Sequence, residues 1–143
     1  VKPIHILLIE DNEGDILFIK EAFEETRLAN EITVLRNGEK AIKYLQKKGV
    51  HKDAVMPDLI ILDINLPRKN GHEVLQFIKS NGDLLVIPVI MFTTSSSDKD
   101  IIKSYENHVN SYITKPVDGD EFIEAVTSIG DFWINIVKLP TNH

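Results

Sequence analysis

At 143 residues, with 43% hydrophobic and 27% charged residues and a formal net charge of −6, the chain has the size and composition of one globular domain. It contains no cysteine, which excludes disulfides and thiolate metal sites, and its acidic balance disfavours direct, non-specific binding of nucleic acid. No apolar run approaches the ~18 residues of a membrane span, and no basic segment followed by an apolar one opens the sequence, so a soluble, cytoplasmic protein is expected.

The apolar run of residues 5–9 stops at Glu10 and Asp11, after which Ile16, Ile19 and Phe23 recur at helical spacing, with Asn12 and Asp15 as an approximate capping pair. A second short strand is predicted over residues 32–35. Asn37 and Gly38 then mark a turn, and Ala41, Ile42 and Leu45 form the stripe of a second helix. Residues 47–56 are polar, contain Gly49 and are expected to be a long loop. Leu59, Ile60, Ile61 and Leu62 follow, an unbroken apolar run too short for a helix and suited to a strand buried on both faces, ending in Asp63.

After the loop of residues 66–71, Val74, Leu75 and Ile78 predict a third helix with a left-handed stop near Asn81 and Gly82. A fourth strand is predicted over residues 86–92, with Pro88 near its start, followed by Thr93, Thr94 and three serines. Ser97 and Asp100 cap a helix carrying Ile101, Ile102 and Tyr105, and residues 111–114 form a fifth strand running into Lys115 and Pro116. The last helix starts near Asp118. Phe122, Val126, Ile129, Trp133 and Ile136 keep its stripe, and Ile123, Phe132, Ile134 and Val137 widen it toward the end. Strand and helix alternate five times, which predicts an α/β fold with a parallel sheet, helices on both faces and right-handed crossovers.

In a parallel sheet every strand ends at the same edge, and there the chain brings together Glu10, Asp11, Asp63, Thr93 and Lys115. Singly, each has a bland reading: acids suit a helix N-terminus, and Asp63 could be a turn residue. Together they provide acids for a cation, a carboxylate able to attack phosphorus, a hydroxyl, and a cation for phosphate oxygens. With no cysteine, and with His5, His51, His72, His108 and His143 lacking ligand spacing and given no role, an oxygen-only site points to Mg²⁺.

The set Glu10-Asp11, Asp63, Thr93 and Lys115-Pro116 at successive strand ends resembles the receiver domain of two-component response regulators, over essentially the whole chain. That resemblance implies a flavodoxin-like (CheY-like), doubly wound five-stranded parallel sheet in the order 2-1-3-4-5. Residues 1–143 would be a single receiver domain with a slightly extended C-terminal helix and no output domain. The resemblance also implies that Asp63 accepts a phosphoryl group from a sensor histidine kinase or phosphotransfer protein. Asp11, Asp63 and the main-chain carbonyl of Asn65 would hold Mg²⁺, with Glu10 acting through a water. Thr93 and Tyr112 would form the switch that alters the face of helix four, strand five and helix five, Asn65 and Ser95 would tune phosphoryl lifetime, and the Lys115–Pro116 bond would be cis.

Departures from the family pattern are Glu10, where aspartate is common, and residues 107–110, Asn-His-Val-Asn, where many receivers carry a Gly-Ala pair and where the packing of helix four is therefore in question. The motif Glu10-Asp11-Asn12, residues 65–71, the long loop before Pro57 and the Phe132-Trp133 ending are similar to stand-alone regulators, including those paired with bacterial phytochromes. A phytochrome-type kinase, a downstream protein partner and a homodimer through the C-terminal helix face are the partners this implies. An exposed surface around Phe132, Ile134 and Val137 would form that interface, and a helix end folded onto its own core is the alternative. Two other classes compete. A Mg²⁺-dependent aspartate-nucleophile phosphohydrolase would need a second carboxylate where Asn65 stands, and a flavin module would need a hydroxyl-rich loop where Glu10 and Asp11 stand.

Overall fold

Runs of apolar residues too short for helices become strands, and each following segment with three-to-four spacing folds back over them. The computed structural model describes residues 3–25 and 30–140, so His143 lies outside the described residues. In chain order the elements are β1 (Ile4–Ile9), α1 (Glu13–Glu24), β2 (Asn30–Leu35), α2 (Gly38–Leu45), β3 (Leu59–Leu62), α3 (Gly71–Ser80), β4 (Val89–Thr93), α4 (Asp98–Glu106), β5 (Ser111–Thr114) and α5 (Gly119–Gly130). The strands form one sheet in the order β2-β1-β3-β4-β5, and every pairing is parallel, as the alternation predicts.

Successive side chains of a strand point to opposite faces, so the central strands feed two cores. Ile6, Leu8, Leu59, Ile61, Ile90 and Phe92 pack with Ile16, Ile19 and Phe23 of α1 and with Phe122, Val126 and Ile129 of α5. Leu7, Ile9, Ile60, Leu62, Val89 and Met91 face the other way, toward Ala41 and Leu45 of α2 and Val74, Leu75 and Ile78 of α3. All four residues of β3 are buried, each contributing roughly 1.5–3 kcal/mol relative to an exposed side chain. At the edge away from the site, the backbone N–H of His5 donates to Asp58 Oδ2 (2.9 Å) and that of Asp58 to the His5 carbonyl (2.7 Å), which pins the start of β3 to β1.

Side-chain caps start the five helices. Asn12, Asn37, Asn70, Ser97 and Asp118 each accept a backbone N–H from the residue three positions on. Asn37-Gly38 is thus a helix start, not a free turn. The predicted long loop contains a 3₁₀ turn, Gly49–His51. Helix α3 buries Gly71, His72, Val74, Leu75 and Ile78, whereas α4 buries only Ser104.

Several boundaries differ from expectation. Strand β4 begins at Val89, not at residue 86, because Pro88 has no N–H to give a ladder; Leu84 and Ile87 are buried through a turn instead, their N–H groups donating to Asn81 and Leu84 carbonyls. Asn81 is extended (φ −108°) and Gly82 is not at positive φ, so α3 has no left-handed stop; the following turn closes on the Asn81 carbonyl. In the segment 107–110, His108 supplies the left-handed residue (φ 65°), Val109 is buried, and Asn110 Oδ1 accepts from the Val89 N–H (2.8 Å) and Lys79 Nζ (3.1 Å). These larger residues fit because the Asn110 amide takes over backbone hydrogen bonding at the start of β4.

The end of α5 departs further. Residues Asp131–Ile136 form a π-helical turn, with the Val137 N–H donating to the Phe132 carbonyl at 2.9 Å. The wider turn shifts the apolar phase by one residue. Ile134 enters the core and Leu139 is buried, while Phe132 and Ile136 are 50% and 69% exposed. The expected exposed cluster therefore loses Ile134. The Lys115–Pro116 peptide is trans, correcting the cis expectation: no cis bond occurs among the described residues. Trans is the resting preference of an X–Pro bond by about 0.5–1 kcal/mol.

Candidate functional site

Three candidate residues are held by one ladder hydrogen bond just beyond the end of their strand. The Glu10 N–H donates to the Leu35 carbonyl (3.0 Å), that of Asp63 to Ile9 (3.0 Å) and that of Lys115 to Thr93 (2.6 Å). The sheet therefore fixes their backbones while their side chains turn toward one crevice. Glu10, Asp63, Thr93 and Lys115 are all buried.

The Lys115 ammonium joins the acids. Its Nζ lies 2.5 Å from Glu10 Oε1, 2.8 Å from Asp15 Oδ2 and 3.0 Å from Asp63 Oδ2. The second Glu10 oxygen accepts the backbone N–H groups of Asp11 (3.1 Å) and Asn12 (3.2 Å), and Asp63 Oδ1 accepts that of Ile64 (2.7 Å). Burial, followed by repulsion from Asp63, pushes the Glu10 carboxyl up from 4.5 to about 7 against the pull of Lys115. Burial works to lower the Lys115 ammonium, but the carboxylates of Asp15, Glu10 and Asp63 outweigh it and hold the group above its ordinary value. One ammonium thus serves more carboxylates than it can neutralise.

The surplus negative charge suits a cation. Oxygens of Glu10, Asp11 and Asp63 all lie within 4.8 Å of one another, Asp11 being the exposed member. An all-oxygen donor set opening to solvent fits a hard divalent ion that keeps several waters. The loop after Asp63 is held close as well: the Gly71 N–H donates to the Ile64 carbonyl at 2.8 Å, and a Cβ at Gly71 would meet the Asp63 carbonyl and approach Ile64 Cα to 2.7 Å. Only glycine lets α3 begin so near the acid.

A second polar network lies alongside, at the ends of β4 and β5. Thr93 Oγ1 accepts the Ser95 N–H at 3.5 Å, and the half-buried Tyr112 donates its hydroxyl to the Ser95 carbonyl at 2.8 Å. Burial, offset in part by the Ser95 hydrogen bond, raises the Tyr112 hydroxyl above its ordinary value. Ser95 Oγ donates to Asp100 Oδ2 (2.6 Å), and the other Asp100 oxygen lies 2.9 Å from Nε2 of the buried His72. The Ser95 and His72 hydrogen bonds hold the Asp100 carboxyl below its ordinary range.

The residues expected from sequence thus come together, except that Asn65 is exposed and its side chain enters neither network. Three participants were not anticipated. Asp15 is placed on the lysine, although its spacing from Asn12 had explained it as a capping partner. The cap uses only the Asp15 backbone N–H (2.9 Å) and leaves the carboxylate free to reach Lys115, 100 residues away in sequence. His72, without a role from its spacing, and Asp100, a capping residue by its spacing, stand in the first turns of α3 and α4, and nothing in the sequence links them.

Residues 6–127 match the family model described as the response regulator receiver domain. The response regulator Rcp1 of Synechocystis sp. is 42% identical over 138 residues, which span 96% of this chain and 94% of Rcp1. The crystal structure of the Mn²⁺-bound form of Rcp1 is similar with a TM-score of 0.95, covering 97% of this chain and all (100%) of that one. The crystal structure of the phosphorylated cyanobacterial phytochrome response regulator RcpA is similar with a TM-score of 0.96 at 41% identity, covering 98% and 100% of the two chains. The bacteriophytochrome response regulator AtBRR has a TM-score of 0.74 at 37% identity, covering 98% and 99%.

Proposed function

The chain belongs to the response regulator receiver domain family, and from that membership we propose that Asp63 is the residue that accepts the phosphoryl group. The protein is a two-component response regulator, a signalling receiver and not a conventional enzyme. The observation that carries the assignment is the placement of Asp63: a buried carboxylate just beyond the central strand, with one oxygen on the Ile64 N–H and the other on Lys115.

In the transfer, an Asp63 carboxylate oxygen forms a bond to phosphorus as the P–N bond of a phosphohistidine breaks. The bonding pair returns to the imidazole nitrogen, which takes a proton from solvent. Little covalent work falls to the protein, so positioning and charge supply the catalysis. The Ile64 N–H orients the attacking carboxylate, and Lys115 pairs with the phosphoryl oxygens. Asp11, Asp63 and the Asn65 carbonyl would hold a divalent cation, with Glu10 one water away; we assign Mg²⁺, which when bound neutralises charge on the transferring group.

Thr93 and Tyr112 form the switch in this reading. Their shared partner, Ser95, supports it, since displacement of the Thr93 hydroxyl toward the phosphoryl group would pull on the Ser95 backbone and the Tyr112 hydroxyl bonded to it. The altered face is that of α4, β5 and α5. Ser95 and Asn65 tune the lifetime of the aspartyl phosphate.

The phosphoryl donor is a sensor histidine kinase or a phosphotransfer protein, and the phytochrome context of RcpA and AtBRR supports a phytochrome-type kinase. Output passes to a downstream protein partner, and a homodimer through the C-terminal helix face is a second arrangement; a groove of about 530 Å³ lined by Ile113, Ile129, Phe132 and Trp133 supports contact there. No helix among the described residues is long and apolar enough to cross a membrane. Cytoplasmic action follows from the kinase assignment.

Incubation with acetyl phosphate and Mg²⁺, followed by intact-mass spectrometry, tests the acceptor. One labile phosphoryl group is expected on the parent and none on Asp63→Asn. Equal labelling of the variant would remove Asp63 from the role.

A further inference from the structure

We infer that His72 and Asp100 are positioning residues for the Ser95 hydroxyl, and that by tying the loop after β4 to α3 they prolong the life of the aspartyl phosphate. The inference rests on the reading of Asp63 as acceptor. His72 is the second residue of α3, and its buried ring has one polar tether, Asp100, since Nδ1 has no hydrogen-bond partner. Asp100, in the first turn of α4, divides its carboxylate between two elements, one oxygen for His72 and the other for Ser95 Oγ at 2.6 Å. The Ser104 hydroxyl, buried on the same helix, donates to the Asp100 carbonyl at 2.8 Å and fixes that turn of backbone.

A serine hydroxyl has one proton and three staggered side-chain wells. The bond to Asp100 selects one well and commits the proton to a carboxylate. Ser95 stands two residues beyond Thr93, at the sheet edge where Asp63 lies. Released from Asp100, its hydroxyl keeps only two long contacts to Ser97, to Oγ and from the N–H, at 3.4 Å each, and can turn to hydrogen-bond solvent or phosphoryl oxygens. Loss of the phosphoryl group is attack by water: the water oxygen bonds to phosphorus, the Asp63–phosphorus bond breaks, Asp63 departs as carboxylate, and the water protons leave with phosphate and solvent. A hydroxyl free to orient that water speeds the step. A hydroxyl held on Asp100 does not, and His72 keeps Asp100 turned to hold it.

The test follows phosphoryl loss by intact mass after labelling with acetyl phosphate and desalting into Mg²⁺ buffer. His72→Leu and Asp100→Ala are expected to shed the group about fivefold faster than the parent, the rate equivalent of one ordinary hydrogen bond. His72→Gln, which restores a donor toward Asp100, returns the rate to within about twofold of the parent. In a Ser95→Ala background neither His72→Leu nor Asp100→Ala changes the rate, because the group they act through is gone. Because the Asp100 side chain is 30% exposed, Asp100→Ala keeps the test open if His72→Leu does not fold. Unchanged or slower loss in both single variants, or the same acceleration in the Ser95→Ala background, overturns the inference. Labelling that survives Asp63→Asn would instead overturn the acceptor on which it rests.

Discussion

Two polar networks sit at the same edge of the sheet, and their carboxyls are driven in opposite directions. Around Lys115, one buried ammonium meets Glu10, Asp15 and Asp63, and burial with mutual repulsion raises Glu10 to about 7. Around Asp100 the ratio is reversed: one carboxylate receives donors from Ser95 and His72 and lies below its ordinary value. The first network lacks positive charge, and the oxygens of Glu10, Asp11 and Asp63 leave room for a cation to supply it. In the second the charge is matched by donors from within, although the buried His72 Nδ1 has no hydrogen-bond partner. What it supplies is attachment, and α4 needs that, because α3 buries four side chains besides its first glycine while α4 buries a single serine.

The sharpest way to break the contrast is to remove the centre of each network. Lys115→Met, measured by denaturant unfolding without metal, should cost about 3–5 kcal/mol, since it leaves buried carboxylates unpaired. Asp100→Ala removes two hydrogen bonds at a partly exposed site and should cost about 1–2 kcal/mol. Costs in the reverse order would mean that the Asp100 network, not Lys115, secures this edge of the sheet.

The pH dependence separates the networks by sign. Glu10 is raised in the folded state, so its contribution is fully present below 4.5 and is lost as pH rises through about 7. Asp100 is lowered, so its contribution is present above 3.8 and disappears on acidification through the folded value. The metal-free protein should therefore melt several degrees lower at pH 8 than at pH 5, Glu10→Gln should flatten that slope, and added Mg²⁺ should raise the melting temperature more at pH 8. A slope that survives Glu10→Gln would place the proton elsewhere. The smallest effect is on the outer face of α4: Ile102, 58% exposed, should tolerate Ile102→Ala within about 0.5 kcal/mol.

Much of this arrangement was legible in the chain. The runs ending at Ile9, Leu62 and Thr114 each stop against a charged or acidic residue, and because parallel strands share an edge, topology alone gathers Glu10, Asp63 and Lys115. Local chemistry obscured the rest. Asp15 already had an explanation as a capping partner, and only the fold shows that its carboxylate was unused by the cap. Ile87 looks like strand because it is apolar, yet a turn buries it equally well once Pro88 has interrupted the ladder. The three-to-four spacing that predicted Trp133 and Ile136 as the inner face assumed 3.6 residues per turn; Trp133 does pack partly buried against the core, but the π-helical turn points Ile136 outward and brings Ile134 inward. His72 and Asp100 lie on separate helices, and no spacing rule connects them.

The lone buried serine of α4 has a consequence for how such a regulator can be rewritten. Ile102 points outward and contributes little to the core, whereas the half-exposed Tyr105 accepts the Tyr112 N–H at 3.3 Å, so the surface around Ile102 can accept substitutions without unfolding the domain or touching the acids beneath it. The proposed partner face and the proposed acceptor, Asp63, are thereby carried by separate parts of the chain. A drifting lineage, or a designer, can vary the outside of α4 around Ile102 while Asp63 and its neighbours stay as they are.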